Sequence, residues 1–223
     1  MTIKAILFDC DGTLVDTELM CARAFTDALK LYGVDCAPEL MLTEFFGIPN
    51  TQIAEKLSAR FGVALPEEPI TKIYTDNVFA TMAEQMRVLA DSVAYVKGLK
   101  DRGFKLAVGS NGTKDVVVEE LRVAGYLGDI IPRPLVFTAI DVANPKPAPD
   151  MYLMAAEACG VAPEECVVVE DSAAGARAGL AAGMRVVGYT GLAHDAAYSR
   201  QRLENAGVSR IIEVLPALDV HLL

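Results

Sequence analysis

Two aspartates, Asp9 and Asp11, stand at the end of a short apolar run in the stretch KAILFDCDGTLVDTE, residues 4–18. On an extended strand residues i and i+2 face the same way, so the pair is expected on one side of the chain. Two carboxylates about 4 Å apart repel by roughly 4 kcal/mol at an effective dielectric near 20. Burying one methylene returns only about 0.8 kcal/mol. Such a pair must hold a proton or gather around a cation. Related groups recur in three later stretches: Ser110 and Asn111 after KLAVG, Lys146 within NPKPAPD, and Glu170 with Asp171 after CVVV. A cluster of Asp9, Asp11, Glu170 and Asp171 offers only oxygen donors and has no histidine nearby. That donor set favours a hard ion, Mg²⁺ above all, which keeps some waters and favours phosphate oxygens as remaining ligands. The Lys146 ammonium and the Ser110 hydroxyl would then hold the other oxygens of a bound phosphate.

The elements that must bring these groups together are legible from the alternation of apolar runs with helical patterns. Residues 3–9, 105–109, 166–169 and 185–189 read as short strands buried on both faces, and 135–138 as a weaker one. Helical periodicity covers 92–102, 113–125, 149–160 and 173–183, with Pro149 suited to a first turn and Gly160 to a C-terminal stop. Glycines at 175, 179 and 183 recur every four residues and predict a smooth helix face for close packing on a sheet. This alternation predicts an α/β, doubly wound, Rossmann-like parallel sheet, in which ligands bind beyond the carboxyl ends of the strands. Asp9, Ser110, Lys146 and Glu170 all fall at such ends. Residues 17–88 differ: helical patterns at 21–32, 53–61 and 70–86, and no convincing strand. They predict an all-helical insert between the two parts of a core formed by residues 1–16 and 89–223, with hinges near Asp16–Thr17 and Val88–Asp91.

Composition narrows the partners. The 223 residues carry a net charge of −10, which argues against nucleic acid or an anionic membrane surface as the main partner. Five scattered cysteines without a CxxC pair read as reduced thiols. The N-terminal apolar run is too short for a signal peptide, and no stretch approaches the roughly 18 apolar residues of a membrane span. A cytoplasmic protein is expected, monomeric by preference, with a dimer as the alternative.

Each element also has a plainer reading. Asp11-Gly12 and Ser110-Asn111-Gly112 are common turn sequences, Thr113 and the 170–172 stretch could cap helices, and Lys146 could be a surface charge. What those readings leave unexplained is the joint placement at successive strand ends. The segment VGSNG at 108–112 approaches the G-x-S-x-G elbow of serine hydrolases, but valine replaces the first glycine, and His194 and His221 are the only histidines. No phosphate-loop or dinucleotide fingerprint is present.

Taken together, FDCDGTLVDTE, GSNG, NPKPAPD and VVVEDSAAG resemble, in order, the four motifs of the haloacid dehalogenase superfamily, and specifically its phosphatase and β-phosphoglucomutase-like branch with a helical cap. The resemblance implies an Asp9 nucleophile that forms an aspartyl-phosphate, and an Asp11 general acid and base. It implies Mg²⁺ held by Asp9, the Asp11 carbonyl and Asp171, with Glu170 as a direct or water-mediated ligand. Thr13, Ser110, Asn111 and Lys146 would bind the phosphoryl group and position the reacting groups. The insert is expected to close over the substrate, with Gly47, Ile48 and Asn50 in the specificity loop. The expected activity is hydrolysis of a small phosphorylated metabolite, a sugar phosphate or sugar-acid phosphate. Asp11 argues against a dehalogenase or phosphonate hydrolase. A hexose-phosphate mutase is the alternative, opposed by the lack of lysine or arginine between Leu42 and Gln52. A non-enzymatic phosphometabolite-binding protein is a remoter one, opposed by the retention of Asp9, Asp11 and Lys146.

Overall fold

The computed structural model of the chain describes residues 2–42 and 50–222. They divide into two compact units, Met1–Asp16 with Val88–Leu223, and Thr17–Arg87. The larger unit is built on β1 (Ala5–Phe8), α5 (Ala90–Asp101), β2 (Lys105–Ser110), α6 (Lys114–Val123), β3 (Val136–Thr138), α7 (Asp150–Cys159), β4 (Cys166–Glu170), α8 (Ala173–Ala181), β5 (Arg185–Tyr189), α9 (Ala196–Asn205) and β6 (Ile211–Ile212). All strand pairs are parallel, and the order is β3-β2-β1-β4-β5-β6.

The sequence dictates the centre of this sheet. All four residues of β1, Ala5-Ile6-Leu7-Phe8, are fully buried. β4 is buried along its whole length. Continuous apolar runs suit strands covered on both faces, and each large side chain so buried contributes about 1.5–3 kcal/mol. The strand order reverses at β1: β2 and β3 lie to one side, β4 to β6 to the other, which makes the carboxyl end of β1 the switch point where ligands bind in such sheets. Register then fixes the height of the polar groups. Phe8 is opposite Val169 on one side and Val108 on the other. Asp9 is therefore level with Glu170, and Ser110 ends its own strand close by.

The smaller unit contains helices α1 (Glu18–Lys30), α2 (Pro38–Leu40), α3 (Asn50–Phe61) and α4 (Glu67–Gln85), and no strand among its described residues. In α4 the buried residues are Ile70, Tyr74, Val78 and Met82, one every four positions, the spacing of a single helix face. Phe25 of α1 meets Tyr74 with ring centroids 4.9 Å apart, and the Asn77 carboxamide donates to the Ala24 carbonyl at 3.2 Å. Among the described residues no helix is long and apolar enough to cross a membrane.

Two readings of the sequence are corrected. β6 and α9 were not expected: β6 is two residues long, and α9 buries only Leu203, so neither leaves a periodic apolar signal. The three glycines of the 173–183 segment do not share one packing role. Gly179 lies against Val168 and Val186, as close sheet packing requires, whereas Gly175 accommodates a carboxylate, and Gly183 has φ +75° just past the helix end. Gly160 does stop α7, in the left-handed conformation.

Candidate active site

β1 ends at Phe8, so Asp9, Cys10 and Asp11 belong to a turn and not to a strand. The amides of Thr13, Leu14 and Val15 all donate to the Cys10 carbonyl, and Gly12 N–H donates to the Val15 carbonyl at 2.7 Å. Gly12 has φ +80°, a conformation that glycine adopts without penalty. A Cβ there would lie 2.3 Å from Asp171 Oδ2, so the glycine also makes room for that carboxylate. This turn gives the two aspartates different companions. Asp9 gathers with Glu170 and Asp171, each offering an oxygen within 4.8 Å of the others. Asp11 instead stands with Cys10 and Glu120, the same measure holding for that trio.

Asp9 is buried, its amide donating to the Val169 carbonyl at 3.0 Å and so prolonging the ladder to β4. Lys146 is also buried, which rules out the surface-charge reading. Its ammonium donates to Asp9 Oδ1 at 2.6 Å and to Glu170 Oε1 at 2.5 Å, and lies 4.8 Å from the centre of the Tyr152 ring. Burial alone would drive the lysine's pKa down; the carboxylates of Asp9 and Glu170 more than offset this and hold it well above the ordinary value. Burial pushes the Asp9 carboxyl well up, Lys146 pulls it back, and Glu170 and Asp11 push it further. A divalent ion beside Asp9 would act in the same sense as Lys146.

Glu170 is fully buried and held on both oxygens. Oε1 accepts from Lys146 and from the Tyr152 hydroxyl at 2.8 Å, and Oε2 from the Ser172 amide at 3.1 Å and hydroxyl at 2.9 Å. Ser172 in turn caps α8, accepting from Gly175 N–H at 3.0 Å. The capping reading of 170–172 is thus true of Ser172, while Glu170 and Asp171 belong to the acidic group.

Ser110, at the end of β2, donates to Asp11 Oδ2 over a long 3.4 Å and accepts from Gly112 N–H at 3.0 Å. Thr113 occupies the cap position of α6 without a side-chain capping bond. Asn111 spends its carboxamide on the backbone of Lys146: Nδ2 donates to the Lys146 carbonyl at 3.0 Å, and Oδ1 accepts from the Lys146 amide at 3.1 Å. The expected phosphate ligand is therefore engaged in holding the lysine loop. Thr13 is buried, and its hydroxyl has no hydrogen-bond partner among the described residues. Gly47 and Ile48 lie outside the described residues, and Asn50 opens α3.

The sequence reading missed Tyr152 and Glu120. Tyr152 sits in an ordinary amphipathic helix and gives no signal. Glu120 could have been found: it is an acid on the buried face of α6, beside Val116, Val117 and Leu121.

The donor set fits a hard divalent cation. Asp9, Glu170 and Asp171 offer carboxylate oxygens from two strand ends, and Gly12 leaves Asp171 unobstructed.

Residues 3–183 match the family model described as haloacid dehalogenase-like hydrolase. Two curated relatives come from Escherichia coli (strain K12). 6-Phosphogluconate phosphatase is 30% identical over 184 residues, covering 82% of this chain and 81% of that protein. Hexitol phosphatase A is 36% identical over 190 residues, covering 84% and 83%. Among solved structures, a HAD family hydrolase from Deinococcus radiodurans R1 with bound phosphate and sodium superposes with a TM-score of 0.76 at 27% identity, over 100% of this chain and 98% of that one.

Proposed function

Because the chain belongs to the haloacid dehalogenase-like hydrolases and is an enzyme of the phosphatase kind, we propose that it releases phosphate from a small sugar phosphate or sugar-acid phosphate. The reaction is Mg²⁺-dependent and passes through an aspartyl-phosphate at Asp9. One observation carries this reading: the buried Lys146 ammonium is bonded to Asp9, which also sits within an all-carboxylate group at the switch point of the sheet. The substrate class follows the relatives, a 6-phosphogluconate phosphatase and a hexitol phosphatase.

The chemistry runs in two steps. An Asp9 carboxylate oxygen forms a bond to phosphorus as the bond to the alkoxy oxygen breaks, and Asp11 gives that leaving oxygen its proton. Water then attacks the acyl-phosphate, Asp11 takes back a proton, and Asp9 and inorganic phosphate are regenerated. A carboxylate approaches a phosphate dianion only if positive charge cancels the repulsion; Lys146 supplies one such charge. Asp9, Asp171 and the Asp11 carbonyl would hold Mg²⁺, with Glu170 beside them, and the bound ion would supply further neutralisation. The Ser110 and Thr13 hydroxyls are the donors for phosphoryl oxygens. Thr13 suits this because its buried hydroxyl spends no hydrogen bond on the described residues. Asn111 acts at one remove, fixing the backbone from which Lys146 reaches.

The test is phosphate release across a panel of phosphorylated sugars, hexitols and sugar acids, with Mg²⁺ or with chelator. Release from members of this panel in Mg²⁺ alone supports the reading. Bisphosphate-primed interconversion of phosphate positions without net release would instead mark a mutase. No turnover of any member would overturn the substrate class.

A further inference from the structure

Glu120 is a buried acid that the two-step chemistry above does not use. It lies on the inner face of α6, where Val116, Val117 and Leu121 are the other buried residues, and it is 1% exposed. Its Oε2 accepts a long bond from the Cys10 thiol at 3.6 Å, and no donor reaches its Oε1 among the described residues. Its carboxyl group lies near that of Asp11: oxygens of the two, with Cys10 Sγ, lie within 4.8 Å of one another. Two buried carboxyl groups this close repel unless a proton or a donor lies between them. Burial, and then the charge of Asp11, push Glu120 well up.

Cys10 does not turn this trio into a cation site. Its thiol donates to Glu120, and burial, and then Glu120, hold that thiol well above the ordinary value. What remains is a buried carboxyl group close to Asp11, while the Ser110 hydroxyl meets Asp11 from β2.

We propose that Glu120 is a positioning residue for Asp11, its buried carboxyl group holding that side chain where it exchanges a proton with the leaving oxygen and with water. The catalytic half of this statement rests on the phosphatase reading; the positional half does not. Helix α6 would accept an apolar residue here at no cost to folding, so a merely structural Glu120 would be replaceable by leucine. A glutamine, in contrast, keeps a donor toward Asp11 and an acceptor toward Cys10.

The experiment compares Glu120→Leu and Glu120→Gln with the wild-type chain by steady-state phosphate release, thermal melting and crystal structures. Glu120→Leu is expected to melt no lower than wild type, to lose roughly 10–100-fold in kcat with KM changed by less than about threefold, and to show the Asp11 carboxyl displaced. Glu120→Gln is expected to restore most of the rate and to keep Asp11 in place. Wild-type kcat in Glu120→Leu, an undisplaced Asp11 in its structure, or equal damage in Glu120→Gln would each overturn the proposal. If the wild-type chain releases no phosphate from any substrate, the phosphatase reading fails on its own, and the position of Asp11 in the crystal structures still decides the positional half. Should Glu120→Leu not fold, Glu120→Met takes its place in all three measurements.

Discussion

Replacing Gly175 by alanine sets two physical effects against each other, and their signs differ. Gly175 lies in α8, where alanine is favoured over glycine by about 0.8–1.0 kcal/mol. A Cβ at this position would, however, fall 1.6 Å from Glu170 Oε1, 2.0 Å from its Cδ and 2.5 Å from Oε2. Ordinary contact needs about 3.5–4.0 Å, so the carboxylate must retreat by roughly 1.5–2 Å. That distance breaks the bonds from Lys146, from Tyr152 and from Ser172. Hydrogen bonds to a buried charged group contribute about 1.5–3 kcal/mol each, and some re-form after relaxation. A net loss of about 2–4 kcal/mol follows after the helix gain is subtracted. For a chain of this size that is a melting temperature lower by roughly 5–15 °C. Turnover should fall as well, because Lys146 loses one of its two carboxylate anchors. The internal control is Gly98→Ala in α5, where a Cβ meets nothing within 4 Å. It should stabilise by about 0.5–1 kcal/mol. Thermal melts and kcat of both variants are the assay. A Gly175→Ala chain as stable as Gly98→Ala would refute the claim that Glu170 is fixed by this close approach.

Asn111→Ala should lower kcat by roughly 10–100-fold by loosening the Lys146 backbone, and Asn111→Asp should do no better, since it cannot donate to the Lys146 carbonyl; steady-state kinetics would contradict this if either variant kept wild-type kcat. Asp141 accepts from Lys114 at 2.8 Å, and from the Thr138 amide at 2.7 Å and hydroxyl at 3.0 Å; burial opposes the charge, but these donors win and hold its pKa below the ordinary value. A depressed folded value means its stabilisation is present above the unfolded pKa near 3.9 and is lost as pH falls through the folded one. Asp141→Asn should therefore cost about 1 kcal/mol at pH 6, with the gap to wild type closing toward pH 2 in denaturant titrations; a gap independent of pH would contradict the assignment. Cys10, Cys159 and Cys166 are buried, with the Cys166 thiol pushed up to about 12 by burial. Only Cys21 and Cys36 should react promptly with a thiol reagent at pH 8, and all five after unfolding; fast labelling of Cys10 in the native chain would show that the 9–11 turn opens.

How much of this was legible beforehand depended on signal length. Strands such as 166–169 and helices such as 149–160 announce themselves by continuous or periodic apolar residues, and Asp9, Ser110 and Glu170 lie at or just past strand ends for that reason, whereas Lys146 sits in the loop between β3 and α7. Three kinds of information were absent. The turn after Phe8 groups Asp9 with Glu170 and Asp171, and Asp11 with Cys10 and Glu120, a division that strand alternation does not encode. The carboxamide of Asn111 is turned toward Lys146 and not outward, a direction that no sequence spacing encodes. Glycines spaced identically at 175, 179 and 183 meet a carboxylate, two valines and open space, because spacing along a helix does not say what lies across from it. β6 and α9 are short or polar, and their place is set by the sheet already formed.

The most direct test of the central claim is Asp9→Asn, assayed for phosphate release in Mg²⁺ on whichever substrate the wild-type chain turns over fastest, with a melt run in parallel. A folded variant that releases no phosphate is the predicted result. A folded variant with wild-type turnover would contradict attack by Asp9 and, with it, the covalent mechanism.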